Sequence, residues 1–215
     1  MNYRDYLQKV IYQVINPLIR LMIRMGVTPN SITATGLVGN VVATWFFIEA
    51  ALQLNAEPSS AYALIGWGGG VILFAGLFDM MDGRLARMSG KSSLFGALWD
   101  STLDRYSELF TLFGIAVIFL RSSDETWFVI GVATFFAMVG SMMVSYVRAR
   151  AEGLGIECKV GLMQRPERVV VTAVGAIVSG ITANLWWLAG AMVLIALLAN
   201  FTACWRILHC YRQLS

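Results

Sequence analysis

Four aspartates stand in an otherwise apolar part of the sequence: Asp79, Asp82, Asp100 and Asp104. Within each pair, a spacing of three or four residues places both carboxylates on one face of a helix. Each charge within a membrane span costs about 2.5–3.5 kcal/mol on insertion scales, and like charges at close range repel, so a bound cation is expected. Oxygen ligands without histidine or cysteine favour Mg²⁺ or Mn²⁺. Four carboxylates suffice for two ions, the arrangement that clamps the attacking and leaving oxygens of phosphoryl transfer.

The residues between the two pairs suit a substrate that carries phosphate. Gly83 and Ala86 are small, so a nucleotide can approach the backbone there, and Arg87 can pair with a phosphate. A plainer interpretation is also open at this point. In it, the aspartates form ordinary interfacial salt bridges with Arg84, Arg87 and Arg105.

Composition places these residues in a helical membrane protein. Of the 215 residues, 58% are hydrophobic and 13% are charged, whereas roughly a quarter of the residues of a soluble domain are charged. Long apolar runs predict an all-α membrane protein with six transmembrane helices, each long enough for a hydrocarbon core of about 30 Å. The predicted spans cover residues 31–52, 61–82, 93–120, 126–148, 166–186 and 187–207.

The remaining N-terminal residues have an amphipathic pattern. Apolar residues at helical spacing alternate with charged ones, which predicts an interfacial juxtamembrane helix over residues 1–26 and a transmembrane domain over residues 27–215. Basic residues concentrate in the N-terminal segment, in alternate loops and at the C-terminus, and the opposite loops contain only Arg121. The positive-inside rule therefore predicts that both termini and the aspartates lie on the cytoplasmic side.

The aspartates belong to a longer pattern, Asp79-x2-Asp82-Gly83-x2-Ala86-Arg87-x8-Gly96-x3-Asp100-x3-Asp104. This pattern, the six-span topology and the preceding amphipathic helix resemble the CDP-alcohol phosphotransferase family over essentially the whole chain. The resemblance implies transfer of the phosphatidyl group of CDP-diacylglycerol to a small alcohol, with release of CMP. It also implies a homodimer.

The resemblance implies a role for each position of the pattern. Asp79, Asp82 and Asp100 would hold two metal ions, while Asp104 would be the general base and is also a candidate metal ligand. The CDP-lipid would be bound by Pro29, Asn30, Thr33, Asp79, Gly83, Ala86 and Arg87.

A second polar group could bind an anion beside the metal site, and it comprises Ser145, Arg148, Arg165, Arg168 and Arg206. On a helix Arg150 points about 200° away from Arg148, so we expect only Arg148 to face the pocket. The pattern around these residues is similar to the branch of the family that uses inositol phosphate, which implies inositol 1-phosphate as acceptor and phosphatidylinositol phosphate as product. Glycerol 3-phosphate, the acceptor of phosphatidylglycerol phosphate synthases, is the alternative. Any single arginine could instead contact lipid phosphates.

Other classes of function fit the sequence less well. A membrane transporter would carry acidic residues near the bilayer midplane, whereas these aspartates cluster at one interface. A net charge of +3 gives no argument for nucleic-acid binding. Glycines in the second predicted span indicate close helix packing rather than phosphate binding, and they are Gly66, Gly68, Gly69, Gly70 and Gly76.

Overall fold

The computed structural model describes residues 15–122 and 124–214, which are helical apart from short connections. A helical segment over residues 15–24 precedes six helices: α1 (Pro29–Gln53), α2 (Pro58–Ser89), α3 (Leu94–Leu120), α4 (Glu125–Glu152), α5 (Arg165–Thr182) and α6 (Trp186–Leu214). No strand occurs within the described residues, which confirms the all-α prediction.

Four of the six helices are long and apolar enough to cross a membrane, namely α1, α2, α4 and α6. The other two, α3 and α5, carry several charged residues in their N-terminal halves, and these charges lower their apolar character. The prediction of six transmembrane helices is thus supported by composition for four helices. That α3 and α5 also span the membrane remains a proposal.

Local signals begin and end the helices as elementary rules predict. Thr28 caps α1 through its hydroxyl, which accepts a hydrogen bond from Ser31 N at 3.3 Å, and Pro29 occupies the first turn. Gly90 ends α2 in the left-handed conformation, with φ at 67°. Ala183 ends α5 with φ at 48°, so the fifth predicted span, which runs to residue 186, extends past the observed helix end.

Each helix packs mainly against two others, and together they close a ring in the order α1, α2, α5, α6, α4, α3. Close approach within the ring depends on glycine. A Cβ atom on Gly69 would lie 2.7 Å from the carbonyl oxygen of Ala173, and one on Gly180 would lie 2.5 Å from Gly66 Cα. Gly68 meets Phe47 just as tightly. The packing role is confirmed for these glycines of α2 but not for Gly70, which has no described neighbour within 4 Å.

The amphipathic helix predicted over residues 1–26 lies partly outside the described residues, which begin at position 15. In the described part, Ile19 is fully buried. Ile19 packs against Ile32 of α1 and against Met81 and Leu85 of α2. These residues lie at the helix ends that the sequence predicts to be cytoplasmic. This contact anchors the segment beside the helix ends that carry the aspartates.

Candidate active site

The end of α2 and the start of α3 lie side by side because a short turn joins them. Gly90 reverses the chain, and Ser93 caps α3 by accepting a hydrogen bond from Gly96 N at 2.9 Å. A Cβ atom on Gly96 would lie 3.1 Å from Ser93 Oγ and 3.5 Å from Asn30 Oδ1, so the start of α3 lies in contact with the start of α1. Three helix ends therefore meet where the sequence pattern places its carboxylates.

Three of the four predicted carboxylates converge. Oxygens of Asp79, Asp82 and Asp100 all lie within 4.8 Å of one another. Asp82 is buried and its two oxygens are held, Oδ2 by the Thr33 hydroxyl at 2.7 Å and Oδ1 by Gly83 N at 2.5 Å. Thr33 thus orients a carboxylate of the cluster, a contact across 49 residues of sequence.

The cluster fits a hard divalent cation. Asp100 Oδ1 is buried without a hydrogen-bond partner among the described residues, which is costly for a carboxylate oxygen unless a ligand binds it. The three side chains offer only oxygen ligands, and such sets suit Mg²⁺ or Mn²⁺. The ligand chemistry predicted from the sequence therefore has a matching geometry in these three residues.

Asp104 lies next to the cluster but is engaged differently. Arg165, at the start of α5, places a single guanidinium nitrogen, Nη1, 2.7 Å from Asp79 Oδ2 and 2.5 Å from Asp104 Oδ2. Arg105 Nη1 is farther from Asp104, at 3.6 Å. A metal-ligand role for Asp104 stays a prediction, because its carboxylate is paired with arginine and lies outside the converged set.

The three arginines considered as ordinary salt-bridge partners of the aspartates have different contacts in the structure. Arg105 Nη1 forms a long ion pair with Asp104, at 3.6 Å. The short ion pairs of Asp79 and Asp104 are made by Arg165 instead. Arg84 Nε donates to Asn16 Oδ1 at 3.2 Å. The guanidinium of Arg87 lies over Gly83, 3.7–3.8 Å from where a Cβ atom of that glycine would be.

The residues predicted to bind the CDP-lipid gather at the same end of the ring. Gly83 and Arg87 adjoin the cluster on α2, and the Arg87 guanidinium is the side-chain group that lies within 4 Å of a Cβ atom on Gly83 among the described residues. Ala86 lies in the last turn of α2, where its carbonyl accepts a hydrogen bond from Lys91 N at 3.1 Å. Pro29, Asn30 and Thr33 form the facing first turn of α1. Their binding role stays a prediction.

Arg168 forms a buried ion pair that the sequence analysis missed. Its Nε and Nη2 donate to the two carboxylate oxygens of Glu108 at 2.5 and 2.9 Å, and its Nη1 donates to Met163 O at 2.9 Å. The residue is 1% exposed. Glu108 continues the four-residue spacing of Asp100 and Asp104 along α3, and that spacing was the available signal.

The other predicted acceptor ligands lie around the connection between α4 and α5. Arg206 is buried and donates to two backbone carbonyls, Val160 O at 2.8 Å and Val144 O at 2.5 Å, the latter adjacent to the buried Ser145. Arg148 pairs with Glu152 at 2.9 Å on a more exposed surface. Arg148 and Arg168 both lie close enough to Arg206 to act on it electrostatically. A basic cluster exists, and its phosphate-binding role stays a prediction.

The connection between α4 and α5, residues 153–164, packs against the helices, and we call it the strap. Cys158 is fully buried in a small apolar cluster with Ile156 and Ala151, and burial raises the pKa of its thiol. Leu162 N donates to Thr202 Oγ1 at 3.3 Å, which ties the strap to α6. The wall behind the basic cluster is therefore held by the last helix.

A cavity of about 270 Å³ opens between α1, α2, α3 and α5. Asp79, Asp104 and Arg165 line its polar end. Leucines of α2 line its apolar part, and two of them, Leu73 and Leu77, are also partly exposed on the outer surface of the bundle. The cavity therefore places carboxylate and arginine side chains next to an apolar space whose leucines are partly exposed.

Comparisons with known proteins agree with this geometry. Residues 26–205 match the family described as CDP-alcohol phosphatidyltransferase. The chain is 34% identical over 195 residues to a phosphatidylinositol phosphate synthase of Mycobacteroides abscessus, covering 91% of this chain and 82% of that one. It is 32% identical over 215 residues to an archaetidylinositol phosphate synthase of Pyrococcus horikoshii, covering 97% and 98%.

Solved structures give the same result. The crystal structure of Mycobacterium tuberculosis phosphatidylinositol phosphate synthase with CDP-DAG bound is 30% identical, with a TM-score of 0.75, and covers 93% of this chain and 94% of that one. A second structure of that protein, in complex with manganese and citrate, is 29% identical, with a TM-score of 0.78, and covers 91% and 88%. This integral membrane protein belongs to the CDP-alcohol phosphatidyltransferase family.

Proposed function

We propose that the protein transfers the phosphatidyl group of CDP-diacylglycerol to inositol 1-phosphate, giving phosphatidylinositol phosphate and CMP. The observation that carries this proposal is the convergence of Asp79, Asp82 and Asp100 within 4.8 Å, next to a largely apolar cavity that Asp79 and Asp104 line. Such a site can hold a nucleotide-linked lipid by its diphosphate. Family membership makes an enzyme, rather than a transporter, the class of the protein.

The names of the relatives and the positive charge near the carboxylates both favour inositol 1-phosphate as the acceptor. The relatives are named for phosphatidylinositol phosphate or archaetidylinositol phosphate, and inositol phosphate is the part that these names share. A phosphorylated acceptor also matches the arginines near the carboxylates. Glycerol 3-phosphate carries a similar phosphate and is the alternative acceptor. Serine and free inositol leave these arginines without a ligand.

Three aspartates are proposed to bind the divalent metal ions. Asp79, Asp82 and Asp100 would hold Mg²⁺ or Mn²⁺, with two ions in the complete site. When bound, such ions neutralise the diphosphate and stabilise the charge that develops on the departing CMP. Thr33 and Gly83 N keep Asp82 oriented toward the cluster.

Asp104 is proposed as the general base. The acceptor hydroxyl loses its proton to an Asp104 carboxylate oxygen while its own oxygen bonds to the lipid-side phosphorus. The bond from that phosphorus to the bridging oxygen of the diphosphate breaks, and CMP leaves with the electron pair. Asp104 lines the cavity and is 8% exposed, so its carboxylate can meet a substrate there.

Two further sets of residues are proposed to bind the substrates. The CDP-lipid set is Pro29, Asn30, Thr33, Asp79, Gly83, Ala86 and Arg87. The acceptor-phosphate set is Ser145, Arg148, Arg165, Arg168 and Arg206, in which Arg168 would act through its charge while it stays paired with Glu108. Within the second set, Arg165 is the best placed for direct contact, because it lies between the carboxylates and lines the cavity.

We propose further that all six helices span the membrane. The ring closes only with α3 and α5 in it, and α5, with 18 residues, is about 27 Å long at 1.5 Å per residue. The concentration of basic residues supports a cytoplasmic location for the termini and the aspartates. Residues 1–26 would then lie at the interface before a transmembrane domain over residues 27–215, and family resemblance supports a homodimer.

The test is CMP release by the purified protein with CDP-diacylglycerol and Mg²⁺ or Mn²⁺. Inositol 1-phosphate, glycerol 3-phosphate, inositol and serine are supplied separately, and Asp100→Asn is the inactive control. We expect turnover with inositol 1-phosphate alone. Turnover with glycerol 3-phosphate instead would replace the acceptor and keep the mechanism, whereas no turnover with any acceptor would refute the proposed function.

A further inference from the structure

The guanidinium of Arg165 contacts carboxylate oxygens that the proposed reaction requires for a metal ion and for the acceptor's proton. Its Nη1 contacts Asp79 Oδ2, an oxygen of a residue in the metal-binding cluster, at 2.7 Å. The same nitrogen contacts Asp104 Oδ2, an oxygen of the proposed base, at 2.5 Å. While the guanidinium stays there, it repels a divalent ion at Asp79 and occupies an oxygen of Asp104 that would accept a proton.

The hydrogen bonding of Arg165 in this position is incomplete. Its Nε is buried and has no hydrogen-bond partner among the described residues. A buried donor without an acceptor is unfavourable, and a tetrahedral anion with several oxygens can satisfy a guanidinium at two positions at once. The side chain is 21% exposed, at the polar end of the cavity, where an anion can reach it.

The backbone beneath Arg165 is held, so only the side chain has to move. One turn farther along α5, Arg168 is fixed by Glu108 of α3 and by Met163 O. Gln164 N donates to Glu167 Oε2 at 2.8 Å as part of a capping box around the helix start.

We propose that Arg165 is a specificity-determining residue that exchanges two carboxylates for the phosphate of the acceptor. The acceptor phosphate draws the guanidinium away from Asp79 and Asp104, which completes the divalent-metal site and frees the base. This inference rests on the proposed function, because it assigns the trigger to a phosphorylated alcohol. An acceptor with hydroxyl groups alone cannot trigger the exchange, so CDP-diacylglycerol is protected from attack by water until the correct acceptor is bound.

Binding linkage gives the expected result. If the acceptor phosphate and the metal both favour the displaced arginine, each tightens the binding of the other by the same factor. The measurement is Mn²⁺ affinity of the full-length protein in detergent, from the electron paramagnetic resonance signal of free Mn²⁺, without CDP-diacylglycerol. Titrations are made with no anion, inositol 1-phosphate, inorganic phosphate or inositol, and protein-free titrations correct for direct binding of Mn²⁺ by the anions.

For the wild type we expect inositol 1-phosphate to lower the Mn²⁺ Kd by about fivefold or more, and inorganic phosphate to act in the same direction. Inositol should have no effect. Arg165→Gln should bind Mn²⁺ more tightly than the wild type without any anion and should no longer respond to one. Arg150→Gln, at an exposed position near the end of α4, is the matched control for lost charge and should behave like the wild type.

Unchanged Mn²⁺ affinity with the phosphorylated acceptor would overturn the inference, as would an equal response of wild type and Arg165→Gln. Thermal melting of the variant confirms that the comparison is made between folded proteins. The two proposals fail separately. The CMP-release assay decides the reaction and its acceptor, whereas the Mn²⁺ titrations decide whether Arg165 couples anion and metal binding.

Discussion

Two arginines one turn apart on α5 form ion pairs of opposite character. Arg168 is 1% exposed, and each of its three guanidinium nitrogens has a partner in Glu108 or Met163. Arg165 is 21% exposed in its side chain, shares one nitrogen between two carboxylates and has no partner for its Nε in the described part of the chain. Burial and complete hydrogen bonding mark a structural pair, and partial exposure with incomplete bonding marks a pair that can be exchanged.

The largest effect is expected at the carboxylate beside Arg165. Asp104→Asn removes the proposed proton acceptor but keeps the shape of the side chain and an oxygen for Arg165. Turnover should fall by about 10²–10⁴-fold, as is usual on removal of a general base. CMP release measures the loss, and Mn²⁺ binding and thermal melting should remain close to wild type. A variant that keeps most of its turnover would refute the role of Asp104 as base.

The paired carboxylate at Arg168 should show the reverse behaviour. Glu108→Gln leaves the Arg168 charge buried without its counter-ion, which costs about 3–5 kcal/mol of unfolding free energy. Denaturant unfolding in mixed micelles, followed by tryptophan fluorescence, measures the change. Replacing both partners with methionine should recover most of the lost stability, because apolar side chains need no counter-ion. A loss below about 1 kcal/mol in Glu108→Gln would contradict the structural assignment.

A smaller effect is expected where a neutral hydroxyl supports the acidic cluster. Thr33→Val removes the donor to Asp82 Oδ2, and loss of such an outer contact weakens metal binding by about 10–100-fold. The Mn²⁺ Kd reports the change. Thr35→Val is the matched control, because Thr35 lies on the same helix, is exposed and donates only to Ser31 O. Equal Mn²⁺ affinities of the two variants would show that Thr33 does not orient the cluster.

The smallest effect on stability is expected at the most exposed arginine pair. Arg148 and Glu152 form an i,i+4 pair with side chains 42% and 52% exposed. Removing the pair through Arg148→Gln should change the unfolding free energy by no more than about 0.5 kcal/mol. A larger loss in the same denaturant assay would place Arg148 with Arg168 as a structural residue.

The carboxylate cluster was predictable from the sequence because it depends on local spacing. Asp79 and Asp82 share one helix end, Asp100 begins the next helix, and the short turn between them admits few arrangements. The close-packing glycines of α2 were predictable for the same reason, since small residues in an apolar helix favour contact with a neighbour.

The arginines required tertiary structure. Arg168 and Glu108 are 60 residues apart, and no local pattern indicates which carboxylate an arginine will meet. Arg206 was predicted as a phosphate ligand, and no pattern in the sequence indicated that its donors also bind the backbone of the strap and of α4. The sequence identifies the charged residues that lie within apolar segments. Which of these charges face each other depends on the order of the helices in the ring.

The cavity between α1, α2, α3 and α5 has a consequence for how a lipid substrate is supplied. Two leucines of its wall, Leu73 and Leu77, are exposed, so a lipid that entered between the helices would keep its chains in hydrocarbon. Extracting a lipid into water would cost about 0.8 kcal/mol for each methylene group, and this route avoids that cost. Exchange then proceeds by diffusion in the plane of the bilayer. The quantity that saturates the enzyme is the mole fraction of the donor among membrane lipids rather than its concentration in solution.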